Sequence, residues 1–115
     1  MHESGLTEDL FAHTMLHARE ANAQRVTRVR VSVGALSDAT PDSIRFYFAT
    51  LAPGTIAEGA TLEFVTSPGT AHCSACQRDV AIDELFTVAC PECGAAALKV
   101  TGGNAVYLDS LDVET

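Results

Sequence analysis

Between Gly5 and Asn22 the apolar positions recur with a helical period: Leu6, Leu10, Phe11, Thr14, Ala18 and Ala21 gather on one broad face, while Glu8, Asp9, Arg19 and Glu20 lie mostly elsewhere. The pattern predicts an amphipathic helix with Ser4 as N-cap and with Glu8 and Asp9 near the positive end of the helix dipole. From Val26 to Val33 the period drops to two. Val29, Val31 and Val33 alternate with Arg28, Arg30 and Ser32, the mark of a strand with one face on a core. Thr40-Pro41-Asp42 then supplies an N-cap, a proline suited to the first helical position and an acidic first turn. Ile44, Tyr47, Phe48 and Leu51 share one face of the helix that follows, and Pro53-Gly54 stops it.

Over Thr61 to Thr66, Leu62 and Phe64 alternate with Glu63 and Val65 in a second strand. The strand-helix-strand run has the length of a right-handed crossover, which leaves its two strands parallel. Between Pro68 and Gly103 both periodicities weaken and four cysteines appear, after which Val106 to Leu111 returns to alternation. The expected fold is therefore α+β, a three-stranded mixed sheet with two helices. It occupies residues 1–67 and 104–115 and is interrupted by an inserted, zinc-ribbon-like four-cysteine subdomain over 68–103.

Cys73-Ser-Ala-Cys76 and Cys90-Pro-Glu-Cys93 are two C-x2-C knuckles, each able to aim two thiolates at one point. Two such knuckles form a tetrahedral four-sulfur site whose preferred occupant is Zn(II), with iron the competitor on geometry alone. Four reduced cysteines acting as small hydrophobes, or a redox C-x2-C, are the alternatives, and neither pair opens a helix as a redox pair would. Four protein ligands leave no position for a substrate water, so the zinc is expected to be structural. Phe86 and Val88 are candidates for a small apolar centre, and Gly94 suits a tight turn at the metal. His72, beside Cys73, is either a solvent-facing neighbour or a group that exchanges with a thiolate.

Composition narrows the function. The 115 residues are 47% hydrophobic and 19% charged, the balance of one globular domain, and the formal net charge is −8. Such an acidic chain is a poor partner for duplex nucleic acid or an anionic membrane. The segment from Pro68 to Gly103 holds two basic and four acidic residues and one aromatic, which argues against single-stranded nucleic acid as well. No apolar run is long enough to span a bilayer and no basic leader precedes an apolar stretch, so a cytoplasmic location is the default expectation. Up to Thr50 the net charge is −1; beyond it the net charge is −7, which suggests an acidic C-terminal half that docks a basic partner. No nucleophile-base pair and no phosphate-cradling glycine loop is evident, so no enzyme is expected.

The first residues carry a second metal chemistry. With a free amine on Met1, the amine and the His2 amide close a five-membered chelate ring, and that amide with His2 Nδ1 closes a six-membered one. Nitrogen donors in a plane suit Ni(II) or Cu(II), with Glu3 able to supply a fourth ligand, although a histidine at position 2 taken alone is more often part of a disordered terminus. His13 and His17, four apart on the first helix, are able to share one metal, although residues bordering an apolar stripe are the better reading, with a supporting role near a metal held by His2 as the other.

Met1-His2-Glu3, Val33-Gly34-Ala35-Leu36-Ser37 followed by Pro41-Asp42-Ser43, the run Gly54 to Ala60, the two knuckles with Cys90-Pro91-Glu92-Cys93-Gly94, and the closing acidic strand together resemble the HypA/HybF family of hydrogenase nickel-incorporation proteins. The resemblance spans almost the whole chain. It implies a nickel metallochaperone that carries Ni(II) as cargo to the large subunit of [NiFe] hydrogenase with the GTP-hydrolysing protein HypB. Urease accessory proteins are further candidate partners, and the chaperone itself is a monomer or homodimer. It further implies nickel at Met1, His2 and Glu3 and structural Zn(II) at Cys73, Cys76, Cys90 and Cys93. Ser4-Gly5 and Gly103-Asn104-Ala105 depart from the family's usual residues without removing a ligand. A zinc-ribbon protein-protein adaptor with no nickel role is the alternative reading.

Overall fold

The computed structural model describes the backbone of residues 3–83 and 87–115 and the side chains of 5–83 and 87–115. In chain order the elements are α1 (Glu3–Glu20), β1 (Arg25–Gly34), α2 (Pro41–Leu51), β2 (Thr61–Ser67), β3 (Gly69–Cys73), β4 (Arg78–Ile82), β5 (Leu98–Gly102) and β6 (Val106–Glu114). They form two three-stranded sheets, one ordered β2-β1-β6 and the other β4-β3-β5. The chain divides into two compact units, Met1–Ser32 with Asp38–Val65 and Val106–Thr115, and Val33–Ser37 with Thr66–Ala105.

In the first unit α1 packs on α2 and β6. Its buried stripe is Thr7, Leu10, Thr14 and Ala18, and the Thr14 hydroxyl donates back to the Leu10 carbonyl at 2.9 Å, which satisfies it without a partner from the core. Phe11 meets Phe48 of α2 edge to face, with ring centroids 5.2 Å apart. The helix runs from Glu3, so Ser4 lies inside it rather than at its N-cap, and Ala21 is exposed rather than on the buried face. It ends at Glu20 because Asn22 takes a left-handed φ of 55°. Asn22 N–H donates to the Arg19 carbonyl and Ala23 N–H to the Ala18 carbonyl, the paired bonds of a Schellman ending.

Gln24 N–H donates to Glu114 O and the Thr27 hydroxyl to Asp112 O, so β6 runs antiparallel to β1. Val26 N–H donates to Ile56 O, and Ala35 N–H to Ser67 O nine residues later on one side and eleven on the other, so β2 runs parallel to β1. The sheet is mixed, as the strand-helix-strand pattern predicts. α2 between these strands begins with a capping box: Ser43 N–H donates to Thr40 Oγ1 at 3.1 Å and Thr40 N–H donates to Ser43 Oγ at 3.2 Å. Ile44 and Phe48 are its buried residues, and Arg45 lies over the Phe64 ring of β2 at 5.0 Å.

The second unit is an antiparallel meander in which β3 pairs with both β4 and β5. Leu36, Ala71, Cys73, Val80, Ile82 and Cys90 form its buried cluster, joined by the partly buried Cys76, Ala97, Leu98 and Val100. Val88 is 68% exposed and takes no part in this core, while Phe86 lies outside the described residues. Alternation along β3, β4 and β5 supplies the inward side chains instead. Leu36 enters because Val33–Ser37 belongs to this unit: Leu36 N–H donates to Gly103 O and Gly34 N–H to Ala105 O. Backbones meet so closely here that a β-carbon on Gly34 would overlap the Gly103 carbonyl, and one on Gly103, at φ +81°, would overlap the Pro68 carbonyl.

The folded arrangement also relocates the charge. The first unit gathers eleven acidic and five basic residues, net −6, because Glu58, Glu63, Asp109, Asp112 and Glu114 fold into it; the second carries net −2. The acidic character is therefore concentrated outside the cysteine unit, contrary to the division by sequence halves. Part of it is paired: Arg28 contacts Glu63 and Asp112, both at 3.5 Å, on the open face of the sheet. Thr40→Ala is expected to lower stability by about 1 kcal/mol, read as a shift of the urea midpoint, because it removes the α2 cap. Gly103→Ala is expected to cost more than the roughly 1–2 kcal/mol of a left-handed alanine, since backbone crowding adds to the strain; unchanged stability would contradict the close approach.

Candidate metal centre

The two knuckles are built alike. Cys73 ends β3 and Cys90 opens the second knuckle; four residues after each, Gln77 at φ 58° and Gly94 at φ 77° take left-handed conformations. Gln77 N–H donates to Cys73 O at 2.9 Å, and Gly94 N–H donates to Cys90 O at 2.8 Å. These turns reverse the chain after two thiols, so both sulfurs of each pair face inward. Ser74 N–H donates to Ala97 O, which ties the first knuckle to the approach of β5, and Cys90 N–H donates to Ala95 O, which closes the second knuckle on its own return path. Gly94 is legible in the sequence as a turn residue. Gln77 is not, and its only signal is its matching offset from the first cysteine.

The sulfurs of Cys73, Cys76, Cys90 and Cys93 all lie within 4.8 Å of one another. Cys73 Sγ and Cys93 Sγ are 3.6 Å apart, and Cys76 Sγ and Cys90 Sγ are 3.9 Å apart. A disulfide needs about 2.05 Å, so none of these is a bridge. A tetrahedron with Zn–S bonds of about 2.3 Å has edges of about 3.8 Å, a length that falls between the two distances. The four cysteines fit a structural zinc site. Among the described residues they are the one group of three or more close potential ligands.

The electrostatics point the same way. Hydrogen bonding from the Cys76 backbone N–H, aided by Ala75, brings the Cys73 thiol down from 9.0 to about 7 despite its burial. Desolvation, followed by the neighbouring sulfurs, pushes Cys76 up to about 12. Glu92 N–H also donates to Cys90 Sγ at 3.4 Å. The fold thus prepares donors for thiolates, yet four negative sulfurs this close repel one another. A divalent cation removes that conflict and deprotonates all four.

His72 points away from the thiols. Strand alternation places it on the opposite face of β3 from Cys73, where Nδ1 lies 2.8 Å from Asp79 Oδ1 of its cross-strand partner. It is not a thiolate substitute in this geometry. Arg78 and Glu92, 3.8 Å apart, link β4 to the second knuckle across the outside of the cluster. His13 and His17 lie exposed on α1. Met1, His2 and the side chain of Glu3 lie outside the described residues.

Because zinc binding must displace thiol protons, affinity is expected to fall as pH falls, and more steeply below about 7, where the metal-free Cys73 thiol also takes up its proton; dialysis at successively lower pH with zinc analysis measures this. Cys90→Ser is expected to reduce bound zinc below stoichiometry. Hydrogen exchange should then show lost protection over β3–β5, with protection of Val29, Val31 and Ile44 retained, since these belong to the other core.

Comparison with known proteins accords with this geometry. The family model described as hydrogenase/urease nickel incorporation, metallochaperone, HypA, matches residues 1–113. The chain is 40% identical over 114 residues to hydrogenase maturation factor HypA 2 of Bradyrhizobium diazoefficiens, covering 99% of this chain and 100% of that one. It is 39% identical, with the same coverage, to hydrogenase maturation factor HypA of Methylocella silvestris. The solution structure of the Ni metallochaperone HypA from Helicobacter pylori superposes with a TM-score of 0.76 at 25% identity, covering 98% of this chain and 97% of that one. On the match of the model, the relatives and the fold, the chain belongs to the HypA family of nickel-incorporation metallochaperones, which are maturation factors and not enzymes.

Proposed function

We propose that this chain carries Ni(II) on its N-terminal Met1-His2-Glu3 segment and delivers it in the cytoplasm, together with HypB, to the large subunit of [NiFe] hydrogenase. The observation that carries the proposal is the family match, which begins at residue 1 and so includes this triplet. The chemistry supports it. An amine, an amide nitrogen and an imidazole close two favourable chelate rings, and Glu3 is the first residue of α1, so the ligands directly precede a packed helix. A site with few protein ligands exchanges its ion readily, as a carrier requires, whereas the closed four-cysteine site does not.

The proposed division of labour gives the first unit the cargo and the cysteine unit a structural zinc. Urease is the second client class to test, because the family description names both enzymes. In untagged protein His2→Ala, or one residue added before Met1, is expected to abolish the first equivalent of Ni(II) while zinc content stays unchanged. Calorimetric titration with parallel metal analysis reads both quantities, and absorption spectra separate planar from octahedral nickel. Undiminished nickel affinity in both variants would overturn the N-terminal assignment.

A further inference from the structure

We infer that the outer edge of β6 seats an extended segment of a partner protein in which apolar residues alternate with Lys or Arg, added to the sheet as a fourth strand. β6 is the terminal strand in the order β2-β1-β6, so its outer edge has no neighbouring strand among the described residues. Nine residues at about 3.4 Å each give an edge of about 30 Å, along which alternate residues point N–H and C=O outward. Such an edge is a template for main-chain pairing, and the side chains that flank it decide what is admitted.

Both flanks of this edge are chemically defined. On the helix side, Leu6 and Leu10 of α1 and Val106 and Leu108 of β6 line a recess of about 160 Å³, with Asp9 and His13 on its border. At about 100° per residue, Leu6 and His13 lie on the flank of α1 turned away from Phe11, which meets α2, so the recess opens towards the outer side of β6. A cavity of about 150 Å³ accepts benzene, so one branched or aromatic side chain fits this one. On the open face of the sheet Asp109, Asp112 and Glu114 are exposed, and β6 carries no basic residue. Arg28 contacts Asp112, whereas Asp109 and Glu114 form no ion pair among the described residues. A strand that puts one set of side chains into the recess turns the intervening set to these carboxylates, so the segment that fits is apolar at one set of positions and basic at the other.

Other occupants fit less well. A second copy offering its own β6 sets acid against acid across the pair, which destabilises it. The opposite edge of the sheet, β2, has a single acid, Glu63, and this carboxylate is already in contact with Arg28 and Arg30 at 3.5 and 3.9 Å. The net charge of −6 on the unit draws a basic segment towards it. The recess extends about 5–15 Å along the axis of α1 from Glu3, which seats the partner beside the N-terminal end of the helix. That the cargo held there is nickel rests on the proposed function; the strand site does not.

The test uses the untagged, zinc-loaded full chain and a fluorescein-labelled octapeptide of alternating lysine and valine. Anisotropy reads affinity, and amide resonances locate the site. Saturable binding that weakens with salt is expected, with shifts over Val106–Glu114 and at Leu6, Leu10 and His13. The same peptide with glutamate for lysine is expected to bind at least about tenfold more weakly, because like charges then face each other. A fully N-methylated lysine peptide keeps the charge and loses every main-chain donor, so its binding is expected to vanish. Asp109→Lys with Glu114→Lys is expected to reverse the preference between the lysine and glutamate peptides, with unchanged amide resonances of Val29, Val31 and Ile44 reporting an intact core. Equal binding of the two peptides, retained binding of the methylated one, shifts confined to Thr61–Ser67, or the same β6 shifts on concentrating the protein without peptide would overturn the site. Nickel is titrated on the same protein, so failure of the N-terminal assignment is read separately, from the first equivalent of Ni(II).

Discussion

Four sulfur atoms within 4.8 Å of one another are the constraint on which the second unit depends. Its forty-five residues are few for a self-sufficient core, and two of the six side chains in its buried cluster, Cys73 and Cys90, are themselves candidate ligands. The cluster is thus both packing and coordination. The backbone N–H donors that lower Cys73 and the desolvation that raises Cys76 act on sulfurs only a few ångströms apart. A cation reconciles these opposing pressures, and the repeated left-handed turn at Gln77 and Gly94 holds the geometry in which it does so.

The first unit is stabilised by other means. Helix-on-sheet burial, the Phe11–Phe48 ring contact, a capping box on α2 and a Schellman ending on α1 hold it without a metal. That independence suits the proposed division of tasks. A resident ion needs a closed set of soft ligands, and a cargo ion needs an open set of nitrogen and oxygen donors on a firm support. α1 is such a support, buried along Thr7, Leu10, Thr14 and Ala18 and exposed along Asp9, His13, His17 and Glu20.

Most of the fold is legible in the sequence because its determinants are local. The period-two run at Val29–Val33, the Thr40-Pro41 start and the knuckle spacing each specify conformation through nearest neighbours, and the corresponding strand, helix and sulfur cluster follow. What is not legible is long-range. Leu36 reads as part of a loop after β1, yet it packs with β3 and β4 residues, a contact made possible by the Gly34–Gly103 approach. Val88 reads as a core residue because it is apolar and lies between the knuckles; strand alternation fills the core from elsewhere. Asn22 reads as the end of the first helix, although asparagine is one of the few residues at ease in a left-handed ending. The division of charge by sequence halves fails for a similar reason, since β6 returns its acids to the unit where the chain began.

That return of β6 has a consequence during synthesis. Central strand β1 emerges from the ribosome early, with one neighbour following in β2, but its other neighbour is translated last. Until Val106–Glu114 has left the exit tunnel, one edge of β1 stays unpaired and open to the wrong strand. The cysteine unit precedes β6 in the chain, so its four thiols leave the tunnel before the strand that closes the helical unit.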